Sequence, residues 1–177
     1  MSTDDFGVAG ADLSLAKTGL ALGDGTLLTI TPGRLGGYRR LRPMAQAVLQ
    51  RLHHHGLVIL EGYDPHPRGY LALVRAAELG GIVRAGLLEL DIRFLDCPPG
   101  TLKKFATGKG NASKDDVFKA ANLAILGTTQ PAPTNDDEAD AYWLRRIGIE
   151  LEADPANPVE TLAKLAEDLA SPLPPRV

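Results

Sequence analysis

Residues 6–31, FGVAGADLSLAKTGLALGDGTLLTIT, decide the fold of this chain. The first part predicts a short strand that ends at the carboxylate of Asp12, and after a turn residues 19–22 predict a second strand. The GDG triplet at 23–25 is a strong hairpin signal, so the β-rich segment 26–31 is expected to pair back as a third strand. A sheet that begins with antiparallel neighbours is therefore expected.

Strands and helices alternate after this opening. The predicted elements are a helix over 38–54, a buried strand over 57–61, helices over 70–85, 114–126, 136–148 and 159–169, a strand over 91–95 and a basic loop over 101–112. The run LVILE at 57–61 is nearly continuously apolar, as in a strand covered on both faces, and a right-handed crossover would place it beside the first strand. This order predicts an α/β fold, with a mixed five-stranded sheet and helices on both faces.

Composition favours an ordinary globular protein, with 44% hydrophobic and 23% charged residues among 177. A single cysteine, Cys97, cannot form an internal disulfide, which fits a reducing, cytoplasmic setting. We expect Cys97 to be a small, partly buried residue rather than a nucleophile. No run of about 18 apolar residues predicts a membrane span, and the polar, acidic segment 1–6 does not resemble a secretory signal.

Charge is unevenly distributed along the chain. The net charge is −3, but residues 1–133 carry 15 basic and 12 acidic residues, whereas residues from 134 onward carry 4 basic and 10 acidic ones. Several of the acids are candidate metal ligands, and a bound cation would cancel part of their charge. The acidic total therefore does not exclude a polyanionic substrate.

Acidic residues occur where such a sheet would bring them together. Asp12 ends the first strand, Glu61 ends the buried strand, and Asp137 and Asp140 lie three residues apart on one helical face. Two unit charges about 4 Å apart repel by about 4 kcal/mol at an effective dielectric near 20, so a cluster requires protonation or shared cations. Oxygen ligands without cysteine favour Mg²⁺ or Mn²⁺ over zinc.

Each acid also has a simpler interpretation. Asp12 is compatible with a turn residue and Glu61 with a solvated strand end. The acidic run 136–138 is compatible with a favourable first helical turn, and Asp140 with an exposed helix charge. The four together, in this order, favour a metal site.

Four segments resemble the RuvC family of Holliday-junction resolvases. They are GADLSLAKTGLA at 10–21, VILE at 58–61, LKKFATGKGNASKD at 102–115 and DEADA at 137–141, and the likeness covers residues 6–147 in family order. The segment 102–115 is the most distinctive. The resemblance implies a ribonuclease H-like nuclease domain over 1–150, followed by a C-terminal helix and loose tail over 151–177.

The resemblance also implies a function. It identifies a Mg²⁺-dependent, structure-selective endodeoxyribonuclease with two ions per site, for which Mn²⁺ substitutes, and with ligands at Asp12, Glu61, Asp137 and Asp140. The ions would activate a water and stabilise the leaving oxygen of a phosphodiester. It implies a homodimer that makes paired nicks in four-way DNA junctions, without a membrane or a small-molecule cofactor. The residues expected to contact DNA are Lys103, Lys104, Lys109 and Lys114.

The sequence departs from the family pattern in a few places. Asp136 adds an acid beside the motif, so either Asp136 or Asp137 is the ligand, with Asp137 favoured. Tyr142 and Trp143 are larger than the family's small aliphatic residues there. Tyr63 and Tyr70 are candidates for stacking on bases, with a core position favoured for Tyr70.

Two further groups of basic residues have open interpretations. Arg34, Arg39, Arg40 and Arg42 either extend a DNA-binding surface or form an ordinary solvated face. The triplet His53-His54-His55 fits a helix C-terminus better than a metal site, because consecutive side chains point to different sides of a helix. His66, in the loop after Glu61, is within possible reach of the acids.

Other functions remain open from sequence alone. One is a ribonuclease H-like nuclease that acts on other branched or hybrid nucleic acids, and another is a non-catalytic module that binds branched DNA. An actin-like phosphotransferase would need a second phosphate loop and a longer chain.

Overall fold

One five-stranded sheet organises the molecule. The computed structural model describes residues 7–63 and 70–172. The strands are β1 (Val8–Asp12), β2 (Thr18–Ala21), β3 (Leu27–Ile30), β4 (Leu57–Glu61) and β5 (Arg93–Cys97), in the spatial order β3-β2-β1-β4-β5. β2 is antiparallel to both β1 and β3, whereas β4 is parallel to both β1 and β5. The mixed sheet and the position of β4 beside β1 confirm the predicted fold.

Helices cover both faces of this sheet. They are α1 (Leu41–Leu52), α2 (Tyr70–Glu89), α3 (Pro99–Thr107), α4 (Lys114–Ile125), α5 (Asp136–Ala153) and α6 (Ala163–Ala170), with short 3-10 turns over Gly37–Arg40 and Glu160–Leu162. None of the helices within the described ranges is long and apolar enough to cross a bilayer.

The two faces of the sheet have separate hydrophobic cores because side chains alternate along each strand. In β4, Val58 and Leu60 join the core formed with α1 and α2, while Leu57 and Ile59 join the core on the α5 side. All four side chains are at most 1% exposed. Coverage on both faces explains why this strand is a continuous apolar run rather than an alternating one.

Glycines allow α5 to lie unusually close to the sheet. A Cβ added at Gly10 of β1 would lie 2.2 Å from the carbonyl oxygen of Ala141 and 2.5 Å from the amide nitrogen of Arg145. A Cβ added at Gly19 of β2 would lie 2.1 Å from the carbonyl oxygen of Asp137. Because these neighbours are backbone atoms of α5, a side chain at either strand position would push the helix away.

Two predicted elements differ from the structure. The basic segment was expected to be a loop over 101–112, but residues up to Thr107 belong to α3. Pro98-Pro99 ends β5 and also starts this helix, since proline at the first helical position has a suitable φ and no amide hydrogen to satisfy. The last strand was expected over 91–95 and lies at Arg93–Cys97, because Asp91 adopts a positive φ of 56° in the turn that follows α2.

Helix boundaries are otherwise close to those predicted. Ser113 caps α4 with a reciprocal capping box that includes Asp116, and Asn135 caps α5. α5 runs five residues beyond the expected end at Gly148, and α6 packs Leu165 and Leu169 into the core on the α5 side. The proline-rich end over 173–177 lies outside the described residues.

Candidate active site

The carboxyl ends of β1 and β4 bring two acids side by side. Ala11 is opposite Leu60 in the parallel pairing, so Asp12 and Glu61 leave adjacent strands at the same edge of the sheet. Asp12 is 8% exposed, and the two carboxyl groups share a side-chain hydrogen bond. Two buried carboxyl groups in contact reduce their mutual repulsion by sharing a proton or by binding a cation.

The start of α5 brings further acids to this edge. The close approach at Gly10 and Gly19 places the first turns of α5 over the ends of β1 and β2. Asp140 is 7% exposed, and the side chain of Asp137 is 15% exposed. The charge of Asp137 acts on both Asp12 and Asp140. All four acids expected from the sequence therefore meet at one end of the sheet.

A buried network fixes the register of α5 over the hairpin. Thr29 of β3 donates its hydroxyl to Glu138 at 2.7 Å, and the backbone amide and hydroxyl of Thr134 each donate to the other Glu138 oxygen at 2.8 Å. The side chain of Asn135 also donates to the Thr29 hydroxyl at 3.0 Å. These hydrogen bonds hold the pKa of Glu138 below its usual value despite its burial. Glu138 thus positions the neighbouring acids and is itself fully engaged.

Burial and mutual repulsion make the acid cluster electrostatically costly. Burial, the charge of Glu61 and their shared hydrogen bond raise the pKa of Asp12 well above its usual value. Burial and the charge of Asp140 raise the pKa of Glu61. Burial and the charge of Asp12 raise the pKa of Asp140 to about 7. Such a cluster gains stability from protons or from cations.

Two lysines supply part of the missing positive charge. Lys114, at the start of α4, lies 3.1 Å from Asp136, and its charge also acts on Asp12, Glu61 and Asp140. Although burial opposes it, the hydrogen bond to Asp136 and the nearby carboxylates raise the pKa of Lys114 to about 12. Lys114 is therefore a fixed cation of the site.

Lys17 is the second cation, and sequence reasoning overlooked it. Its Nζ lies 2.7 Å from Asp137 and 3.9 Å from Asp136. The turn that carries it is closed by Thr18, whose hydroxyl donates to the carbonyl oxygen of Ser14 at 2.8 Å and accepts from the Ser14 amide at 3.1 Å. The available signal was its place in the β1–β2 turn, which must project from the same edge as Asp12.

The four acids offer the oxygen ligands that a divalent cation prefers, but their side chains are not placed to bind one ion together. No three Asp, Glu, His or Cys side chains within the described ranges are grouped so that they would hold one ion as they stand. The acids contact other partners instead, since the carboxyl groups of Asp12 and Glu61 are hydrogen-bonded to each other and Asp137 is paired with Lys17. Buried carboxylate oxygens with raised pKa values are nevertheless the donors that hard cations prefer.

A cleft of about 260 Å³ opens beside the acids. Asp12, Glu61 and Tyr63 line it, together with residues of α2. The guanidinium of Arg84 lies 4.9 Å from the centre of the Tyr63 ring and donates to its hydroxyl at 2.9 Å. Both Nε and Nη2 of Arg84 also donate to the carboxylate of Asp96. The Tyr63 side chain is thereby held at the cleft while remaining 42% exposed.

The remaining predicted DNA-contacting residues lie at different depths. Lys103 on α3 is half-buried, and its charge acts on Glu61. Lys104 and Lys109 are exposed, and within the described ranges neither forms an ion pair with the four acids. The side chain of Tyr70 and the whole of His66 lie outside the described residues.

Three other residues singled out in the sequence have structural positions, and of these Cys97 lies opposite Glu61 in the pairing of β4 with β5. His53 follows the last residue of α1, and His55 accepts a hydrogen bond from the Gly23 amide at 2.9 Å. Cys97 is buried, and this burial raises the pKa of its thiol to about 12. Cys97 is therefore a neutral core thiol, as expected, and not an activated nucleophile.

Segments of the sequence match known proteins. None of the protein-family models matches the sequence. Crossover junction endodeoxyribonuclease RuvC of Rickettsia bellii is 45% identical over 56 residues, which are 32% of this chain and 33% of the relative. The protein of the same name from Chlamydia muridarum is 33% identical over 107 residues, 60% of this chain and 62% of the relative. The Synechococcus protein (strain CC9311) is 29% identical over 126 residues, 69% of this chain and 74% of the relative. The chain thus spans from a third to less than two thirds of the Rickettsia and Chlamydia proteins.

Solved structures share the fold over a larger part of the chain. The structure of Thermus thermophilus RuvC matches with a TM-score of 0.65 and 23% identity, covering 86% of this chain and 99% of that one. T. thermophilus RuvC in complex with a Holliday junction substrate matches with a TM-score of 0.62, covering 78% and 89% of the two chains.

The sheet order and helix arrangement form a ribonuclease H-like fold, with acids gathered at the carboxyl end of the central strands. The matched sequence segments are similar to those of crossover junction endodeoxyribonucleases RuvC, and the fold is shared with T. thermophilus RuvC.

Proposed function

We propose that this protein is a metal-dependent endonuclease that cleaves phosphodiester bonds in branched DNA and resolves four-way junctions by paired nicks. The observation that carries the proposal is the convergence of Asp12, Glu61 and Asp140 at one sheet edge, with Asp137 beside them. Relatives that match parts of the chain are named crossover junction endodeoxyribonucleases, and one matching structure holds a Holliday junction substrate.

The four acids Asp12, Glu61, Asp137 and Asp140 would hold two Mg²⁺ ions, for which Mn²⁺ substitutes. When bound, the ions supply a nucleophilic water and neutralise charge on the leaving oxygen. Asp137 is the better ligand than Asp136, because its side chain is 15% exposed against 44% and its charge acts on both Asp12 and Asp140.

The protein's own groups prepare the site for this loading. The contact between the carboxyl groups of Asp12 and Glu61 must be replaced by contacts to the cations, and Asp137 must separate from Lys17. Lys114 stays charged at neutral pH and offsets part of the carboxylate charge, so a polyanionic strand can approach. Lys103 adds a second cation beside Glu61, and exposed Lys104 and Lys109 extend this positive surface toward the DNA backbone.

Tyr63 gives the site a means of selecting distorted DNA. Its exposed ring borders the cleft next to Asp12 and Glu61, where it would stack on a base that is unpaired at a branch point. The bonds from Arg84 limit the movement of the ring. Stacking of this kind favours branched over continuous duplex DNA.

Paired nicks at a four-way junction require two active sites, so we infer a homodimer. We also infer that the protein acts in the cytoplasm, because its single cysteine is a buried free thiol.

Cleavage of synthetic DNA by the parent and by Asp12→Asn tests the proposed function. The substrates are a four-way junction, a three-way junction, a linear duplex and an RNA–DNA hybrid, each with and without Mg²⁺. We expect the parent to cut the four-way junction symmetrically only with Mg²⁺, and Asp12→Asn to bind it with unchanged affinity but not to cut it. Asp168→Asn, which changes an exposed acid on α6, is the matched control and should cut normally.

Two results would contradict the proposal. Equal cleavage by Asp12→Asn and the parent would remove Asp12 from the chemistry. Cleavage of the hybrid alone would retain the metal-dependent chemistry and exclude junction resolution.

A further inference from the structure

We propose a second DNA-binding surface on the β3 side of the acid cluster, made by Arg34, Tyr38, Arg39 and Arg42. This inference rests on the proposed function, because it assigns the place where DNA extending beyond the cleaved bond is held. We call it the arginine surface.

The first argument is position. Ile30, the last residue of β3, pairs with Thr18, and Thr29 pairs with Gly19, which in turn lies opposite Asp12. β3 therefore ends at the same edge of the sheet as Asp12. Strands are spaced about 4.8 Å apart, so the segment that leaves β3 starts roughly 10 Å to the side of Asp12. The 3-10 turn and the start of α1 follow within this segment.

The second argument is uncompensated charge. The 36 residues between Asp24 and Glu61 contain five arginines and neither Asp nor Glu. No carboxylate in the described parts of the chain forms an ion pair with any of these arginines. By contrast, Arg84 and the site lysines Lys17 and Lys114 are paired with acids. An exposed group of unpaired arginines attracts phosphates more strongly than a mixed surface does.

The third argument is composition and exposure. Arg34, Arg39 and Arg42 are exposed, and the Tyr38 side chain is 78% exposed with Leu35 nearby at 45%. A large ring so exposed contributes nothing to the core. Arginines beside an exposed aromatic ring form the kind of surface that holds nucleic acid, with guanidiniums on phosphates and the ring against a base.

The arrangement places cations on both sides of the acids. Lys103 and Lys114 lie on α3 and α4, which pack against α5 on one face of the sheet, next to Glu61 and Asp136. The arginine surface leaves β3 beside α1, which packs into the core of the other face. A strand positioned at the acids would therefore meet positive charge from both faces of the sheet. The lysines would hold the backbone near the scissile bond, and the arginine surface would hold the adjoining arm.

The same helix provides a matched control for the test. Arg51 is an exposed arginine of the same acid-free segment, but it lies near the opposite end of α1. At about 1.5 Å per helical residue, Arg42 and Arg51 are roughly 13 Å apart along the axis. Arg40 is half-buried and donates to the carbonyl oxygen of Gly37 at 3.2 Å, so it is left unchanged.

Binding of a fluorescent four-way junction in Ca²⁺ at several salt concentrations tests the proposal for the parent, R39Q/R42Q and R51Q. We expect R39Q/R42Q to bind roughly tenfold more weakly at 0.1 M salt, with the slope of log K against log salt reduced by about 2. R51Q should match the parent in both measures, and all three proteins should have the same melting temperature.

Two further comparisons complete the test. Tyr38→Ser should weaken binding several-fold while Tyr38→Phe retains it, and equal affinities of both variants and the parent would overturn the stacking contact. If R39Q/R42Q binds the junction with the same affinity and the same salt slope as R51Q, the arginine surface is overturned. The nuclease proposal would remain intact. Failure of the parent itself to bind the junction would overturn the proposed function and this inference together.

Discussion

The two faces of the sheet are packed by different means, and we expect them to contribute differently to the proposed active site. On the face of α1 and α2, large side chains such as Met44, Leu79 and Leu87 fill the space between helices and strands. On the other face, α5 meets β1 and β2 at Gly10 and Gly19, where no side chain separates the two backbones. Side chains adjust to a change, but backbones in contact do not. We therefore expect the first face to control stability and the second to control the geometry of the acids.

Leu87→Ala gives the largest expected change in stability. Leu87 is fully buried between α2 and the sheet, so the variant should lose about 2–5 kcal/mol of unfolding free energy through lost burial and a cavity. Chemical denaturation measures the loss. At a temperature where the variant remains folded, its Mn²⁺ affinity should equal that of the parent. Weaker Mn²⁺ binding by the folded variant would contradict the expectation that this face controls stability but not the geometry of the acids.

Gly10→Ala is the corresponding change on the α5 face. The added methyl group would overlap backbone atoms of α5, and overpacking of this kind costs about 1–3 kcal/mol. Because the strain moves α5 relative to Asp12, we expect the folded variant to lose Mn²⁺ binding and cleavage.

Gly81→Ala is the control for that change. An added Cβ at Gly81, in the middle of α2, would meet nothing within 4 Å, so alanine there should leave metal binding unchanged and stabilise the helix by about 0.5–1 kcal/mol. Normal Mn²⁺ affinity in Gly10→Ala would show that the close approach is not needed for the site.

This contrast also explains how far the sequence predicts the structure. Strand ends at Asp12 and Glu61, the capping box at Ser113 and the sheet order depend on local patterns, so they could be predicted. The start of α3 was missed because the prolines were taken only as a strand terminator. The position of Lys17 in the turn after Asp12 signals that it lies near the acids, but its pairing with Asp137 joins segments 120 residues apart and has no local signal.

The pH dependence of stability should reveal the crowded acids. Asp140 has a pKa of about 7 in the folded protein, above its usual value of 3.8. The folded state thus binds more protons than the unfolded state between these values, and stability without metal should fall as pH rises from about 4 to about 7. Thermal melting in EDTA at pH 4.5, 6 and 7.5 measures this decrease.

Asp140→Asn isolates the contribution of this group. The variant should lose less stability than the parent over the same pH interval, whereas Asp168→Asn, on exposed α6, should follow the parent. Mg²⁺ at pH 7.5 should stabilise the parent and have little effect on Asp140→Asn. Identical pH profiles for the parent and Asp140→Asn would contradict the raised pKa.

The smallest expected effect concerns Lys17. Its ion pair with Asp137 competes with a bound cation, so Lys17→Gln should bind Mn²⁺ a few-fold more tightly, as measured by calorimetry. Lys119→Gln removes a pair with Asp115 on the surface of α4 and should bind Mn²⁺ like the parent. Weaker binding by Lys17→Gln would mean that Lys17 supports the metal site rather than competing for it.

A crystal structure of the protein soaked in Mn²⁺, with anomalous scattering measured at the manganese edge, tests the central claim most directly. We predict anomalous peaks at the carboxyl ends of β1 and β4, in contact with Asp12 and at least one of Glu61 and Asp140, with Lys17 displaced from Asp137. An ordered crystal with the four acids unliganded, or with manganese bound only elsewhere, would contradict the assignment of this cluster as a metal-dependent nuclease site.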